Sequence, residues 1–327
     1  MQSNKLRIIA ISRLHLTLLA MHAGEYRING GIGFAIEAPA CELAFSGAPN
    51  FAIDDQRTDP FSVSEQERLT SVLNAEQQRS GFATALAVSI SGKMRTHFGF
   101  GSGTAIRLAC LEALHRLNGS LPAPAELIAA SGRGGTSGIG IHTYFSGGCV
   151  FDLGRQFENE QHAPSHQVAI SRPPLVLDCL PMPEWDIGIC IPLAIPHKSE
   201  AEEQAFFKRT CPLPAEAVYE TSYHALFGLY AAIREADRAT FCHALRAIQE
   251  CAWKKAERLE YGVALLEVER ALYECGAEAV GMSSLGPSLF FLANDVTDVI
   301  SKMQLVRPDC ECLLTRPANR GRELHDD

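Results

Sequence analysis

Gly99-Phe100-Gly101-Ser102-Gly103-Thr104 runs straight into an apolar pattern of helical period: Ile106, Cys110, Ala113 and Leu117, at spacings of four, three and four. Residues so spaced share one face, so the pattern predicts a helix over 102–117 with a buried stripe, ended by Asn118-Gly119. Upstream, alternating apolar segments at 6–11, 34–43 and 84–91 read as strands. Downstream, 131–140 is a glycine-rich loop, and 142–153 reads as a hairpin turning at Ser146-Gly147-Gly148. Residues 155–174 are polar and broken by prolines, which predicts a mobile loop or a domain junction. The second half reads as a strand at 185–193, a short acidic helix at 200–208, and helices carrying Phe241, Leu245, Ile248, Ala252, Leu265 and Leu272. A Gly/Ser loop at 281–287 then leads into an apolar strand at 288–293. Strands and helices mixed in two halves predict an α+β protein. Its expected units are 1–175 and 176–315, with a disordered tail over 316–327.

The composition narrows the function. The chain has 327 residues, 46% hydrophobic and 20% charged, which suits a packed protein. Its 38 acidic and 29 basic side chains give −9, a poor charge for gripping a nucleic-acid backbone. No apolar run approaches the ~18 residues of a membrane span, and Arg13 and His15 interrupt the N-terminal apolar stretch too soon for a signal-peptide core. The eleven cysteines lack a CxxC pair, so neither a disulfide framework nor a zinc ribbon fits, and reduced, mostly core thiols are expected. These features predict a cytoplasmic protein acting on small molecules, without nucleic-acid or membrane partners; a homodimer is a separate expectation that they do not supply.

Four segments can carry chemistry. In the first, Gly99, Gly101 and Gly103 let backbone N–H groups at a helix start approach a phosphate, with the Ser102 and Thr104 hydroxyls placed for phosphate or metal. A tight helix-start turn is the plain alternative. The second, Ser131-Gly132-Arg133-Gly134-Gly135-Thr136-Ser137-Gly138, spends more glycine than packing explains and offers Arg133 as a fork for carboxylate or phosphate. A flexible surface turn is its alternative. The third is Ser283-Ser284-Leu285-Gly286-Pro287, and the fourth places Arg13 and His15 beside the turn Asn29-Gly30-Gly31-Ile32-Gly33. Together they suggest an inter-domain cleft for a polyphosphorylated ligand. His142 reads as a strand-start histidine of structural type, and Glu200, Glu202 and Glu203 read as a solvated helix face. No HExxH pair or GxSxG elbow is present.

In this order the segments resemble the GHMP kinase superfamily. Its phosphate loop, Gly-Leu-Gly-Ser-Ser, is similar to Gly99-Phe100-Gly101-Ser102-Gly103, with Gly103 replacing the second serine, and its C-terminal glycine motif is similar to 281–287. The run Gly132-Arg133-Gly134-Gly135-Thr136-Ser137-Gly138-Ile139-Gly140-Ile141-His142, with Arg13-Leu14-His15 and Asn29-Gly30-Gly31, resembles a non-kinase branch, the β-ribofuranosylaminobenzene 5′-phosphate synthases. Where the aspartate-using kinases carry their catalytic carboxylate, an ungapped alignment puts Gly140 here. Losing a positioned base costs about 10²–10⁴-fold, so kinase chemistry of that type is not expected.

The resemblance implies a GHMP kinase-like fold: an N-terminal α/β domain, a ferredoxin-like C-terminal domain and a site between them. The implied reaction is decarboxylating C-glycosyl transfer in tetrahydromethanopterin biosynthesis. Phosphoribosyl pyrophosphate and 4-aminobenzoate or 4-hydroxybenzoate would give the ribofuranosyl-arene 5′-phosphate, CO₂ and pyrophosphate, with Mg²⁺. It further implies Arg13, Arg133 and His15 as catalytic candidates. The implied substrate contacts are Asn29 and Gly30; Gly99, Gly101, Ser102, Gly103 and Thr104; Gly134, Gly135, Thr136, Ser137 and His142; and Ser283, Ser284 and Gly286. Ser102 and Thr104 are the metal candidates. An ATP-dependent small-molecule kinase and an inactive binding protein of the same fold are the alternatives.

Overall fold

The computed structural model describes residues 5–157, 162–164 and 173–326. Two long strands begin the chain, β1 (Lys5–Ala20) and β2 (Arg27–Ala48), followed by β3 (Ala52–Asp55). Next come α1 (Val63–Ser80), β4 (Ala85–Gly92), α2 (Ser102–Leu117), α3 (Pro124–Ser131) and α4 (Ile139–Ser146). β5 (Cys149–Asp152), β6 (Arg155–Gln156), β7 (Val176–Leu180) and β8 (Ile187–Pro192) lead into the helical half. That half contains α5 (Glu200–Thr210), α6 (Ala215–Tyr223), a π-helical turn His224–Tyr230 and α7 (Ala231–Glu235). α8 (Arg238–Glu250), α9 (Ala252–Leu259) and α10 (Gly262–Glu274) complete the run. β9 (Ala279–Met282), β10 (Leu289–Leu292), α11 (Val296–Val306), β11 (Cys310–Thr315) and β12 (Glu323–Asp326) close the chain.

The large sheet runs β12-β1-β2-β4-β3, with β5 and β6 also paired to β2, and β7 paired to β5. The small sheet runs β11-β8-β10-β9, all antiparallel. β7 begins one residue past the expected junction at 175, yet it pairs into the large sheet, so that sheet crosses the boundary. The β1 sequence explains its position. Burial alternates from Lys5 to Leu14, as in a strand with one wet face, then becomes continuous to Leu19 as the strand passes between layers. Arg13 and His15 sit at this changeover, next to the register shift between His15 and Thr17. α2 is buried on nearly all sides, which its Ala, Leu, Ile and Cys content allows. One apolar core unites α2 and the large sheet with Leu229, Phe241 and Leu245, and Phe34 meets Phe290 edge-on at 6.5 Å. A second core lies under the small sheet around Trp253, Leu265, Phe291 and Met303.

Two expectations change. The 142–153 segment is not a hairpin: its first part belongs to α4, and only β5 is a strand. The turn at Gly147-Gly148 is real, with φ of +65° and +66°. The segment 139–146, whose apolar residues fall at Ile139, Ile141, Tyr144 and Phe145, reads equally as strand or buried helix, and packing on α2 and β1 selects the helix. The tail is ordered through residue 326. β12 pairs antiparallel with β1, and Arg322 Nη2 and Nε donate to buried Glu112 at 2.6 and 2.9 Å. A free edge of β1 and an otherwise buried carboxylate both favour that docking. Of the stretch 155–174, residues 158–161 and 165–172 lie outside the described residues. Eight of the eleven cysteines are buried and all are free, which agrees with core thiols. Among the described residues no helix is long and apolar enough to cross a membrane.

Candidate functional site

Gly101 is the N-cap of α2 at φ +81°, a conformation that glycine adopts without strain. A glycine cap has no side chain to offer, and no acidic residue stands in the first turn. The positive end of the helix is therefore left to an external anion. Just before it, Gly99 and Gly286 answer a different need. A Cβ on Gly99 would lie 2.2 Å from Ser283 O, and one on Gly286 would lie 2.2 Å from Gly99 N. Two loops from opposite halves of the chain thus touch backbone to backbone. Ser283 Oγ stitches the contact by donating to Gly99 O at 2.7 Å and accepting from His15 N at 3.0 Å. Ser284 N donates to His15 O at 3.2 Å.

Arg13 and Arg133 flank this helix start. Arg13 Nη1 donates to Gly99 O, and its guanidinium lies where a Cβ on Gly101 would be 3.1 Å away. Arg133 Nε donates to Thr104 Oγ1 at 3.1 Å, and its Nη2 lies 3.1 Å from where a Cβ on Gly103 would be. Neither guanidinium has a carboxylate ion-pair partner among the described residues. Burial, then mutual repulsion with Arg133, lowers Arg13 to about 10. Arg133 is lowered by burial against the pull of Glu203. Two cations held with little compensation form a site that a ligand anion stabilises. Burial, Arg13 and Lys254 hold His15 well below its ordinary value, so it is neutral at pH 7.

The glycine-rich loop is fastened from behind. Buried Asp152 accepts from Ser137 Oγ (3.0 Å), Gly138 N (2.9 Å) and Gly154 N (2.8 Å). Burial outweighs those bonds and raises it to about 6. Gly135 O accepts from Asn29 Nδ2 at 3.1 Å and Arg155 Nε at 2.8 Å, and Gly30 N donates to Thr136 O at 3.2 Å.

A cleft of about 230 Å³ gathers Arg13, His15, Ser102, Thr104 and Arg133 with Ser284. Gly99, Gly101, Gly103, Gly134 and Gly286 also line it, together with Thr136 and Ser137. Asn29, Gly30, Gly135, His142 and Ser283 stand outside its lining. Asn29, Gly30, Gly135 and Ser283 hold loops in place instead. His142 is on α4, not a strand, and burial lowers it.

The sequence reading misses several cleft residues. Glu203 faces the cleft rather than solvent, and burial raises it although His97 and Arg133 pull it down. Glu202 alone of the acidic trio is exposed, and it serves the capping box with Ser199. Glu200 pairs with Arg68 at 2.7 Å, also at the cleft. Glu65 hydrogen-bonds His97 at 2.8 Å; burial pushes Glu65 up, but His97 and Ser62 prevail and hold it at about 2. Phe207, Trp253 and Glu257 form another wall. No local spacing marks these residues, because they reach the cleft from separate helices.

Gly140 lines the cleft, and a Cβ there would meet Thr104 Cγ2 at 3.6 Å, ordinary contact. The position has room for a side chain and no carboxylate. As for Mg²⁺, Thr104 Oγ1 already accepts from Arg133, whose charge repels a cation. Ser102 Oγ and the Glu203 carboxylate are the oxygen donors that suit this hard ion.

No protein-family model matches the chain. It is 29% identical over 326 residues to the β-ribofuranosylphenol 5′-phosphate synthase of Archaeoglobus fulgidus, covering 98% of this chain and 99% of that one. It is 28% identical over 315 residues to the synthase of the same name from Methanothermobacter thermautotrophicus, covering 95% of each. Homoserine kinase from Cytophaga hutchinsonii superposes with a TM-score of 0.71 at 15% identity, over 98% of both chains. The protein MDDEF, solved with MVAPP, AMPPCP and magnesium, superposes at 0.67 and 15% identity over 99% of both. The fold is α+β and GHMP kinase-like.

Proposed function

We propose that this chain, a full-length homologue of the β-ribofuranosylphenol 5′-phosphate synthases, is a decarboxylating C-glycosyltransferase. It would join the ribose of phosphoribosyl pyrophosphate to 4-hydroxybenzoate or 4-aminobenzoate, releasing CO₂ and pyrophosphate. The relatives' name favours the hydroxy compound. One observation carries the reading: two arginines without carboxylate partners among the described residues bracket the uncapped start of α2, while position 140 offers no base.

The reaction needs charge stabilisation at one carbon and no strong base. Arg133, Thr104 and the free N–H groups of α2 hold the departing pyrophosphate. Ser102 Oγ and the Glu203 carboxylate would hold Mg²⁺, which would supply further charge neutralisation there. Arg13, beside neutral His15, holds the aryl carboxylate. The ring carbon bearing that carboxylate attacks ribose C1 as the C1–O bond to pyrophosphate breaks. The C–CO₂ bond then breaks, its electron pair restores aromaticity, and CO₂ leaves.

Carboxyl-labelled 4-hydroxybenzoate should release labelled CO₂ only when phosphoribosyl pyrophosphate and Mg²⁺ are both present. No release, with ATP consumed on adding small alcohols, would instead assign a kinase. Gly140→Asp should fold with an unchanged melting temperature, since its Cβ has room and Asp suits the first turn of α4. It should slow CO₂ release about tenfold or more, as its carboxylate beside Thr104 repels pyrophosphate. A wild-type rate would remove the anion from this corner.

A further inference from the structure

Trp253 and Glu257 lie four residues apart on α9, so they share one face, about 6 Å apart along the axis. Both line the cleft. Trp253 is 1% exposed, packed edge-on by Phe206 and Phe207 at 5.1 Å, and its indole N–H has no partner among the described residues. Glu257 is 3% exposed. Lys254 Nζ donates to its Oε2 and to Met282 O at 2.7 Å, while no hydrogen bond reaches Oε1 among the described residues. This wall thus offers an apolar surface with an unused donor and an unused acceptor one helical turn apart. Phosphate does not fit beside the Glu257 carboxylate. A para-substituted arene does, with an acceptor group at one end and an N–H or O–H at the other.

We propose that Trp253 and Glu257 form the acceptor subsite and select 4-hydroxy- or 4-aminobenzoate by its para donor, a placement that rests on the synthase reading. The ring lies on the Trp253–Phe207 wall, the carboxylate takes the indole N–H and Arg13, and Glu257 accepts the para O–H or N–H. That hydrogen bond pushes electron density to the ring carbon para to it, which is the carbon that carries the carboxylate and attacks ribose. The C–C bond forms as the C1–O bond to pyrophosphate breaks, the carboxylate departs as CO₂, and the para proton returns to the product, so no co-reactant is consumed. Benzoate, lacking the donor, leaves Glu257 unsatisfied and is rejected.

Trp185, packed on Phe241 away from the cleft, is the other tryptophan, so Trp185→Phe leaves Trp253 as the sole indole reporter. In that variant, with pyrophosphate and Mg²⁺ present, 4-hydroxybenzoate should quench the emission saturably. Benzoate and 4-methoxybenzoate should bind at least about tenfold more weakly. Glu257→Gln should narrow that gap, and Glu257→Asp, which keeps a partner for Lys254, should narrow it if the glutamine variant does not fold. Trp253→Phe, assayed by calorimetry, should weaken all three ligands alike. Benzoate binding as tightly as 4-hydroxybenzoate would overturn the subsite. CO₂ release at the wild-type rate by folded Trp253→Phe and Glu257→Gln would also overturn it and leave the synthase reading standing. The expected binding pattern without CO₂ release under any condition would sustain the subsite and sink the synthase.

Discussion

Arg133→Ala is expected to lower CO₂ and pyrophosphate release by at least about 10²-fold, with the melting temperature held within a few degrees. The rate effect follows from position. Arg133 reaches Thr104 and the Gly103 edge of α2, where the proposed reaction would place the leaving group's charge, and one such donor is worth about 10²–10³ in rate. The stability effect follows from what Arg133 lacks. With no carboxylate partner among the described residues, its removal breaks no ion pair, and it relieves the repulsion that lowers Arg13. Arg133→Lys keeps the charge but not the planar fork, and should recover only part of the rate. The pair of variants is read by steady-state CO₂ release alongside thermal melts. Unchanged turnover in a folded Arg133→Ala would take the residue out of the site.

Gly99→Ala should do the opposite and damage fold and activity together. Its φ is +89°, and the added Cβ would sit 2.2 Å from Ser283 O, a backbone atom with nowhere to go. Separating the loops also breaks the Ser283 hydroxyl bonds to Gly99 O and His15 N. Strain at one such position costs about 1–3 kcal/mol, and lost packing at the seam adds to it. A loss of about 3 kcal/mol or more is expected by denaturant unfolding, with CO₂ release near background. Gly103→Ala is the control. Its Cβ would meet only the end of the Arg133 side chain, at 3.1 Å, which can shift, so the fold should survive. Gly99→Ala unfolding at the wild-type denaturant concentration would mean that the seam closes without glycine.

Much of this protein is written locally. The glycine turn before Ser102–Leu117, the alternation along β1 and the strand before Leu193 can be read because helices and strands carry their periods in adjacent residues. Glycine-rich 131–138 stands out for the same reason: a run of residues so costly to order announces a backbone that must approach something. The α4 segment does not read correctly, because so short a segment, with apolar residues at 139, 141, 144 and 145, satisfies either period. The tail misleads as well, since its polar composition conceals that Arg322 has a buried partner 210 residues away.

The sequence by itself determined the fold class, the glycine-rich start of α2, and Arg13 and Arg133 as the residues with which to begin. Only the tertiary structure decided what surrounds them. Glycines 99 and 286 are required by each other across the seam, and Thr104 Oγ1 accepts from Arg133 Nε. Glu203, Trp253 and Glu257 enter the cleft from helices whose patterns look like ordinary surface and core. The physical reason is range. Backbone period and glycine content act over a few residues, whereas burial of a charge or an orphaned N–H depends on segments that meet only when the chain has folded.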